Sequence, residues 1–600
     1  MRSSRLLASL ALVLSSCAPA VQAPVSRPAA PAAAASRVSE LADAYLDSYL
    51  KAFPENITWF SMPGARHDRL TDNSPEGLRA WHEAEDRLAA ALAGVEPRPL
   101  LGTPDWVTFG FLREALESSR GLRVCHNELW PVNQMVGWQA NYVQLAAAQP
   151  VSTPDLRAQA LERWRGLPRF IDQEIANLRE GIRLGYSTPK RSVARVIEQL
   201  DSLLALPPEQ SPFYSPAERD DDPAFRKAWL ELLRDGLYPA AGRYRAYLRD
   251  EYLAAAREAL AVSANPDGAA CYAASLRFYT TLADSPRTVF DRGERAVAAR
   301  ESRLQEMGRE RYGTGDLEEI RRRMSTDPAD RFSSRDEILT YSRAAVERAK
   351  RAVPQWFGRV ARADVVIRPQ PEIAEKSSFS QYLPAAEDGS RPGTYEINLY
   401  QPEDQRRGKV EMTAFHETWP GHHLQVALAQ ERAHAHPVTR FLYNSGFVEG
   451  WARYCETTLA DEMDLYSSDL NRLTARAALP SGMVLDTGLH ALGWTRQQAV
   501  DYIRSKSHSV TPERAETAVD RISVLPGQLT SYDVGEQEIL ALRDEARQAL
   551  GTRFDIRAFH DRVLENGSIT LGMLREVIHH WIATESASVA TERPQDRPGN

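Results

Sequence analysis

The sequence predicts a mainly α-helical protein with a small β-sheet beside one chemically distinctive helix, on three observations. From about Arg37 onward the chain carries long amphipathic stretches such as EGLRAWHEAEDRLAAALAGV, TPDLRAQALERWRGLPRFIDQEIANLREGI and AFRKAWLELLRDGLYPAAGRYRAYLRDEYLAAAREAL, with apolar residues at helical spacing. Helix starts carry cap chemistry, as at Thr153-Pro154-Asp155 and at Ser334 with Glu337 three residues on, the S-x-x-E capping box. Only two segments break the habit. Residues 391–402, RPGTYEINLYQP, open with a turn pair and alternate Tyr395, Ile397 and Leu399 against Glu396, Asn398 and Tyr400, the mark of a half-exposed strand. Residues 363–369, ADVVIRP, form a second short strand.

At 600 residues, 43% hydrophobic and 26% charged, the chain holds enough apolar material for a large packed core. A formal net charge of -8 and the lack of a basic stripe argue against a nucleic-acid partner, whose phosphates need a basic surface. Residues 1–17, MRSSRLLASLALVLSSC, have Arg2 and Arg5, an apolar run and small residues ending at Cys17, the layout of a secretory signal. The run is too short to span a membrane, which takes roughly 20 apolar residues. Leu14-Ser15-Ser16-Cys17 resembles a bacterial lipobox, in which the cysteine becomes the lipidated first residue; a plain signal peptide is the other reading. Residues 18–37 are Ala/Pro-rich and read as a tether. The expectation is an exported protein anchored by lipid at Cys17 on the periplasmic side of the envelope and touching the membrane nowhere else. Ala18, in place of the aspartate typical of inner-membrane retention, points to the outer membrane.

Of four cysteines, three then remain, which permits one internal disulfide. Cys125 with Cys271 is the expected pair, because Cys455 falls in a segment that reads as a buried helix. Residues 38–584 read as a single unit, with an N-terminal helical half to about 350 and a catalytic half from about 351, and residues 585–600 as a polar, disordered tail.

The distinctive helix is AFHETWPGHHLQV, residues 414–426. It begins like the H-E-x-x-H signature, but the fourth position after His416 is Pro420. On an unbroken helix His422 would lie at about 240° from His416, facing away, and His423 about 10.5 Å along the axis. Proline removes an N–H and clashes with the preceding turn, so the helix must open there. If Trp419-Pro420-Gly421 loop out, with Gly421 in dihedrals closed to other residues, His422 becomes the functional fourth position and both imidazoles can reach one ion. Glu417 stays beside His416, placed to act as general base on a water at the metal.

A second helix, SGFVEGWARYCETTLADE (residues 445–462), supplies Glu449, flanked by Phe447, Val448 and Trp451. A carboxylate in such company is costly to bury without a partner, and a two-histidine, one-glutamate zinc site takes its glutamate from a following helix. Glu456 is the rival ligand or a carboxylate lying behind the ligands. H-E-x-x-P-G-H-H-x-Q followed by F-V-E-G-W-A resembles the DUF885 family, which is grouped with the zincin-like metallopeptidases, and RPGTYEINLY, LDTGLHALGWTRQQAVDY and LPGQLTSYDVG extend the likeness over most of the chain. The resemblance implies a mostly helical zincin-like metallopeptidase with Zn2+ held by His416, His422 and Glu449 and with Glu417 as base.

Around that centre, Tyr532 and His490 are candidate catalytic donors to a developing oxyanion, with core packing the alternative for each. Arg521 and Asn398 are candidate substrate-binding residues. Arg521 would grip a carboxylate unless it forms an ion pair with Asp520 or Glu536. The strand carrying Asn398 would offer an unpaired edge to an extended peptide. Asp486 is a candidate to orient a ligand histidine. The expected function is zinc-dependent hydrolysis of peptide bonds in short peptides. The alternatives are a non-catalytic metal- or peptide-binding lipoprotein, which would have no use for Glu417, and a zinc amidase acting on a cell-wall amide.

Overall fold

The computed structural model describes residues 30–592 apart from 63, 371–374, 376–378, 387–390, 433–434 and 508–509. The signal-like residues 1–17, the start of the tether and residues 593–600 lie outside the described residues. The amphipathic stretches form helices, among them Pro75–Leu92, Pro154–Arg165 and Leu167–Leu184. The caps act as their chemistry requires: the Thr153 hydroxyl accepts from the Leu156 N–H and the Ser334 hydroxyl from the Glu337 N–H. The Glu337 carboxylate reaches back one residue further than a capping box, to the N–H and hydroxyl of Ser333.

Both ends of the unit are more helical than the sequence suggested. The first helix, Ala30–Ala52, starts inside the supposed tether, where an alanine-rich run has the highest intrinsic helix propensity. The last, Leu571–Glu592, continues past residue 584, because nothing in that stretch breaks a helix before Pro594. Among the described residues no helix is long and apolar enough to cross a membrane.

Apolar side chains gather in two main cores. The larger joins residues from the first helices, such as Tyr45 and Leu112, to Phe415, Trp451, Val534 and Leu574. The other is built around Trp138, Trp164, Trp229 and Tyr244, all between residues 132 and 256. The beginning of the chain therefore packs into the half that carries the histidine motif. Amphipathic spacing tells which face of a helix is buried but not which helix covers it. Cys125 and Cys271 form the expected disulfide, S–S 2.14 Å, and Cys455 is free and buried.

The sheet has three strands, Val365–Pro369 (β1), Gln381–Leu383 (β2) and Gly393–Ile397 (β3), in the order β1-β3-β2. β1 runs parallel to β3, and β2 antiparallel with Tyr382 opposite Tyr395. This corrects the reading of residues 391–402. β3 is the central strand and buried along its whole length, so it offers no edge to a peptide. Alternating polarity reported side-chain chemistry, not exposure: Glu396 is buried because Arg368 and Gln381 donate to its carboxylate.

The tightest helix pairing sets the site. Gly446 and Gly450 of the Ser445–Tyr454 helix meet Gly535 of the Thr530–Leu550 helix backbone to backbone. A Cβ on Gly450 would lie 2.4 Å from the Gly535 Cα, and one on Gly535 1.9 Å from the Gly446 carbonyl oxygen. Gly535→Ala is expected to lower unfolding free energy by about 1–3 kcal/mol or more through overpacking. Gly121→Ala, exposed near the end of the Pro104–Leu122 helix with nothing within 4 Å of the new methyl, should raise it by a few tenths to about 1 kcal/mol. Denaturant unfolding of both variants checks the pair.

Candidate metal centre

The Arg407–Glu417 helix is fastened before it is interrupted. Its buried Glu411 accepts from Arg348 (2.6 Å), the Ser467 N–H (3.1 Å) and Asn471 (2.8 Å). Past Glu417 the chain leaves helical space at Thr418, whose hydroxyl donates to the Ala414 carbonyl, and the Trp419-Pro420 peptide is cis. The Gly421 N–H donates to the Phe415 carbonyl (3.1 Å), and a new helix, His422–Gln430, begins at once. Glycine is needed at 421 for closeness, since a Cβ would sit 2.0 Å from the His416 carbonyl oxygen and 2.4 Å from that of Phe415. Its φ of -75° and ψ of -129° lie outside both the helical and the extended regions, so the expected unusual dihedrals are present beside the demand for closeness. The detour is pinned from outside: the Pro420 carbonyl accepts from Trp451 Nε1 (3.0 Å) and the Cys455 thiol (3.5 Å), both continuing the helix that bears Glu449.

The consequence is convergence. The His416 and His422 rings are 4.6 Å apart at 84°, and Glu449 Oε2 is 3.6 Å from the Nε2 of each. The three donor atoms all lie within 4.8 Å of one another. Tetrahedral zinc with bonds of about 2.0–2.2 Å spaces its ligand atoms roughly 3.3–3.6 Å apart, so the donor set and its spacing fit that ion. Burial alone would raise the Glu449 carboxyl, but the two imidazoles outweigh it and hold the group well below the usual carboxylate range. The histidine side chains are 12% exposed and the glutamate 20%, enough for access from one side.

Glu456 takes the supporting place. Its Oε2 is 3.6 Å from His416 Nδ1, the nitrogen turned away from Glu449, and its Oε1 accepts from Arg453 (2.6 Å). A π-helical turn, Cys455–Leu459, carries Glu456, and such local widening of a helix recurs at functional sites. His423 faces elsewhere and ties the sheet to the restarted helix: Nδ1 meets the Tyr382 hydroxyl (3.1 Å) and Nε2 the Ala363 carbonyl (3.0 Å).

Glu417 is buried between the sheet and the ligands, its Oε2 accepting from the Tyr382 N–H of β2 (2.8 Å). Loss of water pushes its carboxyl up to about 8, with Glu449 and Glu456 adding and His422 opposing. The Tyr532 ring lies 6.3 Å from that of His416, inclined by 24°. Its hydroxyl accepts from Arg521 and Gln528, both 3.3 Å. Burial and then the Glu449 charge raise it to about 12, so it remains a proton donor. Tyr443 is 70% exposed, and loss of water and then the Glu449 charge raise its hydroxyl. A groove of about 900 Å3 lined by Trp106, Arg359, Glu431, His580 and Trp581 contains none of these residues.

Three expectations are corrected. His490 is fully buried: Nδ1 accepts from the Val262 N–H (3.0 Å) and Nε2 donates to the Ile522 carbonyl (2.8 Å), leaving no nitrogen for an oxyanion. Asp486 accepts from the Tyr272 hydroxyl (2.7 Å) and the Gly527 N–H (2.9 Å), not from a histidine of the motif. Asn398 shapes its own loop, donating to the Glu375 carbonyl (2.6 Å) and accepting from the Tyr400 N–H (2.9 Å). Two contributors went unread. Arg453 and Glu456 are an i,i+3 pair that spacing could have shown. Tyr382 sits in a three-residue strand whose pattern is too short to register.

A family model described as "Bacterial protein of unknown function (DUF885)" matches residues 54–578, and the chain belongs to that family. No curated protein matches it. Among solved structures, one described as a candidate lipoprotein from Colwellia psychrerythraea is similar at 22% identity and a TM-score of 0.83, over 91% of this chain and 99% of that one. Another, described as a candidate lipoprotein of unknown function from Shewanella oneidensis, is similar at 17% identity and a TM-score of 0.70, over 90% of this chain and 99% of that one. At these identities the likeness establishes the shared fold.

Gly421→Ala is expected to weaken zinc binding at least tenfold in competition with a chelating dye, because the displaced turn carries His422 with it. For His490, burial lowers the imidazole from 6.5 to about 4. Between those values the unfolded chain binds a proton that the folded chain excludes, so this contribution to stability is complete above pH 6.5 and lost as pH falls towards 4. Denaturant unfolding between pH 7 and 4 should show a shallower fall for His490→Asn than for the unaltered protein.

Proposed function

We propose that this DUF885 protein is an exported, zinc-dependent hydrolase of the zincin type that cleaves peptide bonds in short peptides. The observation that carries the proposal is the meeting of His416, His422 and Glu449 around one point with Glu417 beside it. Two neutral imidazoles and a carboxylate are the ligand set of catalytic rather than closed structural zinc sites. Zinc held there would supply a Lewis acid that polarises a carbonyl and makes water nucleophilic near neutral pH.

The remaining work falls to the chain. The Tyr382 N–H fixes Glu417 Oε2, leaving the other oxygen to take a proton from the attacking water and return it to the departing amine. The Tyr532 hydroxyl, on a ring 6.3 Å from that of His416, donates to the oxygen on which negative charge develops. Arg453 holds Glu456 against His416 Nδ1 and so keeps that ring turned to Glu449. Candidate ligands that are only 12–20% exposed favour an extended peptide over a folded protein.

Export and a lipid anchor at Cys17 rest on residues 1–17 and on the description of both structural relatives as candidate lipoproteins. Glu417→Gln should still bind about one zinc per chain and lose hydrolysis of short peptides by about 10²–10⁴-fold. Metal content measured beside peptide turnover, with and without a chelator, tests both halves; full activity in the variant would refute the base.

A further inference from the structure

We infer that Arg521 binds the free α-carboxylate of the substrate, so that the site removes residues from the C-terminal end of short peptides. The inference rests on the hydrolase reading and assigns that site its direction of action. Arg521 ends the Pro512–Val524 helix, half-buried, with Nη2 donating to the Gln528 side-chain oxygen (2.7 Å) and the Tyr532 hydroxyl (3.3 Å), both neutral.

The acids that sequence offered as partners are engaged elsewhere. Asp520 accepts from Arg191 (2.8 Å) and Arg496, and Glu536 from Arg300 (2.6 Å) and Thr457 (2.5 Å). Among the described residues no carboxylate lies within 4 Å of the Arg521 guanidinium. Arg277, Arg300, Arg348 and Arg453, also part-buried, each carry one, while Arg257 and Arg432 donate to backbone carbonyls instead. The buried Asp486 carboxylate feels the Arg521 charge only from beyond ion-pair distance, so the half-buried guanidinium keeps room for an anion in direct contact. Among the described residues its Nε and Nη1 have no hydrogen-bond partner, and neither is sealed in, so both remain open to whatever enters.

Position supplies the rest. Tyr532 bridges the two groups, its hydroxyl on Arg521 and its ring 6.3 Å from that of His416. Extended chain covers about 3.3–3.6 Å per residue, so a carboxylate held at Arg521 sets a peptide bond only a few residues upstream over the histidines. The planar fork of donors matches a carboxylate in two parallel hydrogen bonds, which a C-terminal amide cannot reproduce.

The test uses zinc-loaded Glu417→Gln protein, which binds without turnover, with N-acetyl-tetraalanine as the free acid and as the C-terminal amide, followed by calorimetry. The acid should bind about tenfold or more tightly than the amide. Adding Arg521→Gln should erase the difference, and Arg521→Lys should restore part of it, with zinc content and thermal melting unchanged. Equal binding of the two peptides, binding of neither, or a preference that survives Arg521→Gln overturns the inference. The same peptides given to the unaltered protein separate the two claims: acid-selective binding without hydrolysis would sink the hydrolase reading and leave the carboxylate site standing.

Discussion

The site depends on one hydrogen bond, from the Trp451 indole to the carbonyl of Pro420. A proline in a helix frees a carbonyl and a turn of backbone that could relax in many ways. Here the freed segment is caught by the helix that presents Glu449, so the same contact that fixes the detour also fixes the distance between the histidine pair and its carboxylate. The Cys455 thiol adds a second donor to that oxygen. Both donors are fully buried, so the bond forms where water cannot compete for it.

Around that bond, close backbone contact does what side chains usually do. Gly446, Gly450 and Gly535 let the Glu449 helix and the Tyr532 helix touch, which brings Glu449 and Tyr532 to the histidine pair from different parts of the sequence. Buried charges then hold the assembly in register: Glu411 fastens the histidine helix from below, while Arg453 joins Glu456 to Asp533 on the Tyr532 helix. Because each of these groups has a partner, the desolvation cost of the cluster is offset within it. The exceptions are Glu417, held at an elevated pKa, and Arg521, with no carboxylate within 4 Å among the described residues.

The parts legible in the sequence were those whose chemistry is local. Pro420 forces a break wherever a helix meets it, so the pairing of His416 with His422 followed from spacing, and Glu449 followed from an acid set among Phe447, Val448 and Trp451. Helical periodicity likewise gave the fold class. What spacing could not give is which surfaces meet. Residues 391–402 alternate like a half-exposed strand, yet β3 is covered on both faces, with Arg368 and Gln381 donating to the buried Glu396 carboxylate. His490 and Asp486 lie in a segment with site-like composition but spend their polar atoms on Val262, Ile522, Tyr272 and Gly527, partners far away in sequence. Glu449 and Glu456 both read as ligand candidates; only the positions of the two nitrogens of His416 tell them apart.

The most direct measurement is anomalous diffraction at the zinc absorption edge from crystals of the metal-loaded protein. A single strong peak about 2.0–2.2 Å from Nε2 of His416, Nε2 of His422 and a carboxylate oxygen of Glu449, with Glu456 outside bonding distance, is the expected result. A peak at some other cluster, or His416 and His422 turned apart with no density between them, would contradict it.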